Sequence, residues 1–385
     1  VSMCISSINE NSENTKPNRN NMKRYGNLFE KIYNKQNIFL AHQKARKKKT
    51  KRKAIKIFDN NICTEINKIS DMIKNKTYKV SPYKVETRIE RKKERIIYKL
   101  PYKPDRIIHH AVLQIIEPIL AKTYIKDTYQ SIKNRGIHKA KDRIKKFLKD
   151  KENTQYCLKI DIKKFYPNVD NEILKKLLRK KIKCNDTLEL LDTIIDSTKG
   201  LPIGNYTSQT LGNFYLSYFD HFIKEKLKIK YFIRYADDMI FLLKNKQELH
   251  KIKQQINFFL KEELSLSLKK NYQIFPTYKR GIDFLGFRFF NNFILLRKSI
   301  KKEIVKLLNK KPTYKRLLKY NSYYGWLKAT DSYNLMRKYI TSDLSYEYQK
   351  ICDKIKIKNI FKKIKIMPKK LNKYGHYQPT LLNFI

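Results

Sequence analysis

Apolar positions along the chain change period several times, and each change predicts an element. In KRYGNLFEKIYNKQNIFLAHQKA, directly after Met22, the residues Leu28, Ile32, Ile38, Phe39 and Ala41 fall roughly on one helical stripe, interrupted near Asn37. Between Tyr78 and Pro101, YKVSPYKVETRI and RIIYKLP alternate with period two around a charged RKKE tip, which predicts a β-hairpin. DRIIHHAVLQIIEPILA, residues 105–121, is apolar enough to be a buried helix. Tyr156 to Ile160 forms a short apolar strand ending at Asp161, and Asp170 is placed to cap the helix NEILKKLLRKKI. After the loop GLPIG, the residues Leu211, Phe214, Tyr215, Tyr218, Phe219 and Phe222 recur at helical spacing and should face a core. YFIRY and MIFLL then flank Ala236-Asp237-Asp238 as two apolar strands joined by a tight turn. From about Lys301 the period is helical, the composition basic and tyrosine-rich, and the single tryptophan, Trp326, lies in NSYYGWLKA. Residues 1–21 are Asn- and Ser-rich without a period and are expected to be a disordered extension, with Met22 as the functional start.

Charge changes this picture more than anything else. The 385 residues carry 87 Lys and Arg against 35 Asp and Glu, a net +52 spread along the chain. Such a chain repels itself unless a polyanion neutralises it, so a long nucleic acid is the expected partner. A lysine-rich codon bias alone leaves the shortage of acids unexplained. The five cysteines form no CxxC pair, which argues against a zinc site or a disulfide framework and for a reducing, cytoplasmic setting. No stretch is apolar enough to span a membrane, and no membrane role is expected.

Two adjacent aspartates at the tip of an apolar hairpin repel each other where neutral residues would serve. Hard divalent cations bound by carboxylate oxygens would compensate them. Asp161, at the end of another predicted strand, is the natural third ligand if the strands are neighbours in one sheet. Each acid taken alone also fits a plain role, a polar turn for Asp237-Asp238 and a helix cap for Asp161.

The surrounding residues add a resemblance. LKIDIKKFYPNVD, GLPIGNYTSQ and RYADDMIFLL, followed in order by SLSLKKNYQIF and GIDFLGFRF, resemble the successive motifs of reverse transcriptases over about residues 22–340. The resemblance implies an α+β right-hand polymerase fold: fingers, a palm whose antiparallel sheet packs on helices, and a helical thumb. On this division residues 22–150 hold the N-terminal segment and fingers, 151–290 the palm, and 291–385 a basic thumb. Within the family the chain is most similar to enzymes of diversity-generating retroelements. The loop reads PIG…SQ where group II intron and retron enzymes usually read PQG…SP, and both KRYGNLFEKI…AHQKARKKK and SIKNRGIHKA resemble segments of that subfamily.

The resemblance also implies roles. Asp161, Asp237 and Asp238 match the metal ligands, with the backbone of Ile162 as an extra oxygen, around two Mg²⁺ or, as a substitute, Mn²⁺. Tyr166 matches the aromatic gate against a ribose 2′-hydroxyl, or else is a core aromatic. Arg95 and Arg106 match clamps on the triphosphate, Arg106 having an ion pair with Asp105 or Glu117 as its alternative. Ile203 stands where more accurate relatives carry glutamine beside the incoming nucleotide, which would favour errors at template adenines. Gly204 is expected to let the backbone approach nucleic acid, and Gln209 to lie near the template. Lys270 matches the lysine that protonates pyrophosphate, with Lys269 as the competing alignment. Phe284, Leu285, Gly286 and Phe287 match the primer grip or form a core strand. Tyr324 and Trp326 suit stacking against a nucleic-acid strand or simply helix packing. The implied partners are template RNA, cDNA, the RNA:DNA hybrid, dNTPs and a small basic oligomeric accessory variability protein. The readings set against an error-prone polymerase are a maturase or RNA-binding protein without polymerisation, and a phage-defence reverse transcriptase.

Overall fold

The computed structural model describes residues 23–90 and 93–340, with Tyr346 and Lys350. The extension expected over residues 1–21 and most of the chain after Ile340 lie outside the described residues. Two compact units share the chain: Val1–Thr123 with Tyr166–Tyr215, and Tyr124–Phe165 with Leu216–Ile385.

Among its described residues, the first unit is mainly helical, with one hairpin. Its opening stripe forms two helices, Phe29–Tyr33 and Lys35–Arg46, and the break falls at Asn34, not at Asn37. Asn34 caps the second helix by accepting from the Gln36 amide at 2.9 Å. Asn37 stays helical and donates to the carbonyls of Ile32 and Ala111, while its own side-chain oxygen accepts from Gln114. It therefore ties this segment to Ile107–Leu120, the expected buried helix, in which Ile107, Ile108, Ala111, Val112 and Ile116 are fully buried. Strands β1 (Lys84–Glu90) and β2 (Lys93–Lys99) form the predicted antiparallel hairpin. Asp170 caps Asn171–Arg179 as expected, accepting from the Ile173 amide at 2.9 Å. The helices Lys53–Asn60, Ile62–Lys74, Asn185–Ile195 and Tyr206–Tyr215 also belong to the unit.

The second unit is built on two sheets. Strands β3 (Thr128–Tyr129), β4 (Tyr156–Asp161), β5 (Tyr231–Tyr235), β6 (Asp238–Leu243) and β7 (Gln273–Pro276) form a five-stranded sheet in the order β3-β5-β6-β4-β7. The sheet is mixed, not purely antiparallel: β3 runs parallel to β5. A two-residue strand has no alternation to read, so this edge left no trace in the sequence pattern. One face of the sheet buries Cys157, Ile233, Ile240 and Leu242 against Ala140, Ile144 and Phe147 of the helix Ile137–Phe147. The helix Lys246–Leu264 packs on β4, β6 and β7, with Leu249, Ile256 and Leu260 buried. Strands β8 (Ile282–Phe284), β9 (Phe287–Phe289) and β10 (Ile294–Leu296) form a smaller antiparallel sheet. Helices Lys298–Leu308, Tyr314–Lys328 and Tyr333–Tyr339 follow, the first two packed through Ile300, Ile304, Leu317, Tyr320 and Leu327.

Candidate active site

Strand pairing decides where the three acids meet. β4 and β6 are neighbours in register, so Asp161, the last residue of one, lies directly opposite Asp238, the first of the other. Tyr235 also pairs with Asp238, which leaves Ala236 and Asp237 as the entire link between β5 and β6. Ala236 carries it at φ 55°, a left-handed conformation that glycine adopts more readily.

The acids are placed against their own chemistry. Burial, followed by the charge of Asp161, pushes the Asp237 carboxyl up to about 6. Burial also pushes Asp238 up to about 7, with Asp161 and Asp237 adding repulsion and Lys159 opposing it. One oxygen each of Asp161 and Asp238, Oδ1, is buried with no hydrogen-bond donor. The other oxygens face lysines: Asp161 Oδ2 accepts from Lys269 Nζ, and Asp238 Oδ2 lies 3.8 Å from Lys159 Nζ. Hard oxygen donors with unclaimed lone pairs and excess negative charge fit a divalent cation. They are not closed into a finished cage, since among the described residues no three or more His, Cys, Asp or Glu side chains are already grouped to hold a metal.

Lys269 is the residue that sequence reasoning left unresolved. The chain at 267–269 extends the sheet, with Lys163 N donating to Ser267 O and Lys269 N to Asp161 O, and Ile162, itself buried, bridging Leu268. Successive side chains of an extended segment point to opposite sides, so only one of two adjacent lysines can face Asp161. That one is Lys269, and Lys270 is exposed beside it. Lys159 was overlooked because its alternation with Ile160 reads as an ordinary surface position; it also donates to Asp283 O at 2.7 Å.

Apart from Lys270, the expected nucleotide-contacting residues belong to the first unit. Tyr166 is half-buried, and its carbonyl accepts from the Leu201 amide at 2.8 Å. Ile203, also half-buried, is held through its backbone, its carbonyl accepting from Tyr98 N of β2 at 2.8 Å. Gly204, at φ 124°, is also required by its own unit: a Cβ there would lie 2.3 Å from Tyr98 O. Its missing side chain lets the loop meet the hairpin backbone. Gln209 is exposed on Tyr206–Tyr215, and Arg95 is exposed on β2 opposite Arg88. The ion pair weighed for Arg106 with Asp105 does not form, because Asp105 is buried and accepts from Tyr78 Oη and Ser81 N.

Phe284 to Phe287 joins two core strands through a tight turn, and both phenylalanines are fully buried. Phe284 ends β8, Phe287 begins β9, and Leu285 and Gly286 between them have φ 52° and 86°. Trp326 packs on this turn, its ring centroid 5.0 Å from that of Phe287, and a Cβ on Gly286 would lie 2.6 Å from the indole. Tyr324 lies against Tyr320 within the helical core.

Residues 66–289, which contain all three aspartates, match the family described as reverse transcriptase (RNA-dependent DNA polymerase). The chain belongs to the reverse transcriptase family. The α+β right-hand polymerase fold comes with that membership, and domains of this family use divalent metal ions. This reverse transcriptase is 24% identical to Protein YkfC of Escherichia coli over 49% of its own length and 61% of the relative's. It is 23% identical to the Putative COX1/OXI3 intron 2 protein of Saccharomyces cerevisiae over 36% of its length and 24% of the relative's. The chain therefore spans less than two thirds of either relative. Among solved structures, a telomerase from Candida albicans with a TWJ fragment of telomeric RNA aligns over 73% of this chain and 61% of that one, at 13% identity and TM-score 0.45. A telomerase from Candida tropicalis with the same type of fragment aligns over 78% and 58%, at 15% identity and TM-score 0.46. Likeness at that level carries no argument; the membership rests on the sequence match. Among the described residues no helix is long and apolar enough to cross a membrane.

Proposed function

We propose that this reverse transcriptase is an active RNA-directed DNA polymerase that extends a primer on a template RNA by two-metal nucleotidyl transfer. The observation that carries the reading is the facing pair Asp161 and Asp238 with Asp237 in the adjoining turn, each of the pair offering a buried oxygen without a donor. Asp161, Asp237 and Asp238 would hold two Mg²⁺, with Ile162 O as a further ligand. When bound, the ions would lower the pKa of the primer 3′-hydroxyl and neutralise the charge of the triphosphate and departing pyrophosphate. Lys269, already beside Asp161, is the better placed of the two lysines to give a proton to the leaving group. Tyr166 would exclude ribonucleotides by bulk, and Arg95 and Arg106 would bind the triphosphate. The Phe284–Phe287 turn would place the primer end, Gln209 would contact the template, and Tyr324 and Trp326 would support the hybrid.

The finer reading is a diversity-generating retroelement enzyme that makes mutagenic cDNA in the cytoplasm with a basic oligomeric accessory protein. Its support is the PIG…SQ loop with Ile203 in place of glutamine; copurification from the host would detect the accessory protein. Primer extension on RNA with Mg²⁺ and dNTPs tests the main reading. Wild type should extend with errors concentrated at template adenines, and Asp237→Ala/Asp238→Ala should not extend. Accurate extension would remove the retroelement reading and keep the polymerase. No extension, even with cognate RNA and accessory protein, would favour an RNA-binding protein.

A further inference from the structure

Among the described residues, the largest side chain with no exposed surface to speak of is that of Arg234, in β5 just before the Ala236–Asp237 link. Its guanidinium grips Asp220, equally buried, with Nε donating to Oδ1 at 2.7 Å and Nη2 to Oδ2 at 2.6 Å. Thr128 of β3 adds a third hydrogen bond to Asp220, its hydroxyl donating to Oδ2 at 2.7 Å. The fork has one arm left, and Nη1 donates to the carbonyl of Ala236 at 3.0 Å. The backbone of Arg234 is fixed too, its amide donating to Asp127 O at 3.0 Å. Asp127 in turn is held by Arg143 and Lys224.

A buried ion pair is poor support for stability alone, because apolar residues of similar volume often serve as well. What they could not supply is the donor on Ala236 O. That carbonyl belongs to the residue held at φ 55°, a conformation unfavourable for an L-residue that persists only where the surroundings over-determine it. The rigid planar fork of arginine binds a carboxylate with two arms and a carbonyl with the third, which a lysine ammonium cannot do.

We propose that Arg234 is a positioning residue: anchored on Asp220 and Thr128, it fixes the strained turn so that Asp237 and Asp238 face Asp161. The short parallel strand β3, which no apolar pattern announces, delivers Thr128 and Asp127 O to this network. The consequence for catalysis rests on the polymerase reading; the mechanical claim does not.

The test uses the full chain. Asp220→Leu/Arg234→Met/Thr128→Val removes the network without stranding a buried charge or hydroxyl, and Arg234→Lys keeps the ion pair but loses the fork. Three quantities are read: hydrogen exchange of the amides at 236–239, Mn²⁺ binding followed by its EPR signal, and kcat and KM for dNTP in primer extension. The expected result for a folded triple variant is turn exchange at least about tenfold faster and weaker Mn²⁺ binding. Its kcat should fall about 10- to 100-fold at an essentially unchanged KM. Turn exchange and kcat within about twofold of wild type, in a variant of unchanged circular dichroism, would overturn the proposal. Should the triple variant not fold, Arg234→Lys decides by the same two readings. A wild type that extends nothing removes the polymerase reading, while turn exchange still decides whether Arg234 holds the turn.

Discussion

At the scale of single residues, the candidate site is a place where the chain works against its own stability. Asp237 and Asp238, at about 6 and about 7, hold protons in the folded state that an unfolded chain has already released. Carboxyls raised in this way contribute their full share below the ordinary Asp range near 4, and that share is lost as pH climbs through 6 to 7. Without metal, Asp238→Asn should therefore be the more stable protein at pH 8, by roughly 1–2 kcal/mol after allowance for the partial exposure of the site. The difference should shrink towards zero near pH 4. Urea unfolding at the two pH values measures this, and an equal difference at both would refute it. Added Mg²⁺ should stabilise wild type more than the variant. Ile203 offers a separate test of fidelity: Ile203→Gln should lower misincorporation opposite template adenine severalfold, read by sequencing the products. An unchanged error spectrum would remove that side chain from the account.

Elements whose pattern is local were legible in the sequence, and those made by distant partners were not. The β1–β2 hairpin, the buried helix Ile107–Leu120, the Asp170 cap and the β5–β6 turn all follow from periodicity or capping within a few residues. The break at Asn34 was misplaced because Asn34 and Asn37 are equally polar. Only the tie from Asn37 to Ala111 O shows which of them stays helical. Likewise, nothing local distinguishes Lys269 from Lys270, or marks Arg234 as buried within the motif that carries the aspartates. Gly204 reads in the sequence as a place where backbone can approach nucleic acid, and nothing local shows that β2 constrains it as well. Gly204→Ala should push the loop off Tyr98 and destabilise the protein by about 2 kcal/mol or more. Thermal unfolding reads the loss, and a midpoint within a degree of wild type would show that the loop yields cheaply.

At the scale of the whole molecule, charge was the most legible property and connectivity the least. The segment Tyr166–Tyr215 belongs with the N-terminal unit although residues 124–165 intervene, and chain order alone cannot state that. The net +52 needs no structure to have a consequence. Binding of a primer–template should weaken steeply with salt, by about tenfold or more between 50 and 200 mM, as released counterions reassociate. A filter-binding series that stays flat would mean that the cations do not meet the phosphate backbone. The way the GLPIG loop is fastened has a further consequence. Its grip on the hairpin runs from Tyr98 N to Ile203 O, main chain to main chain, and its tightest approach is at a residue with no side chain. Position 203 can therefore exchange one side chain for another while the loop keeps its course. On the proposed reading of Ile203 as a fidelity position, selection could retune copying accuracy there by single substitutions without first accumulating compensating changes elsewhere in the fold.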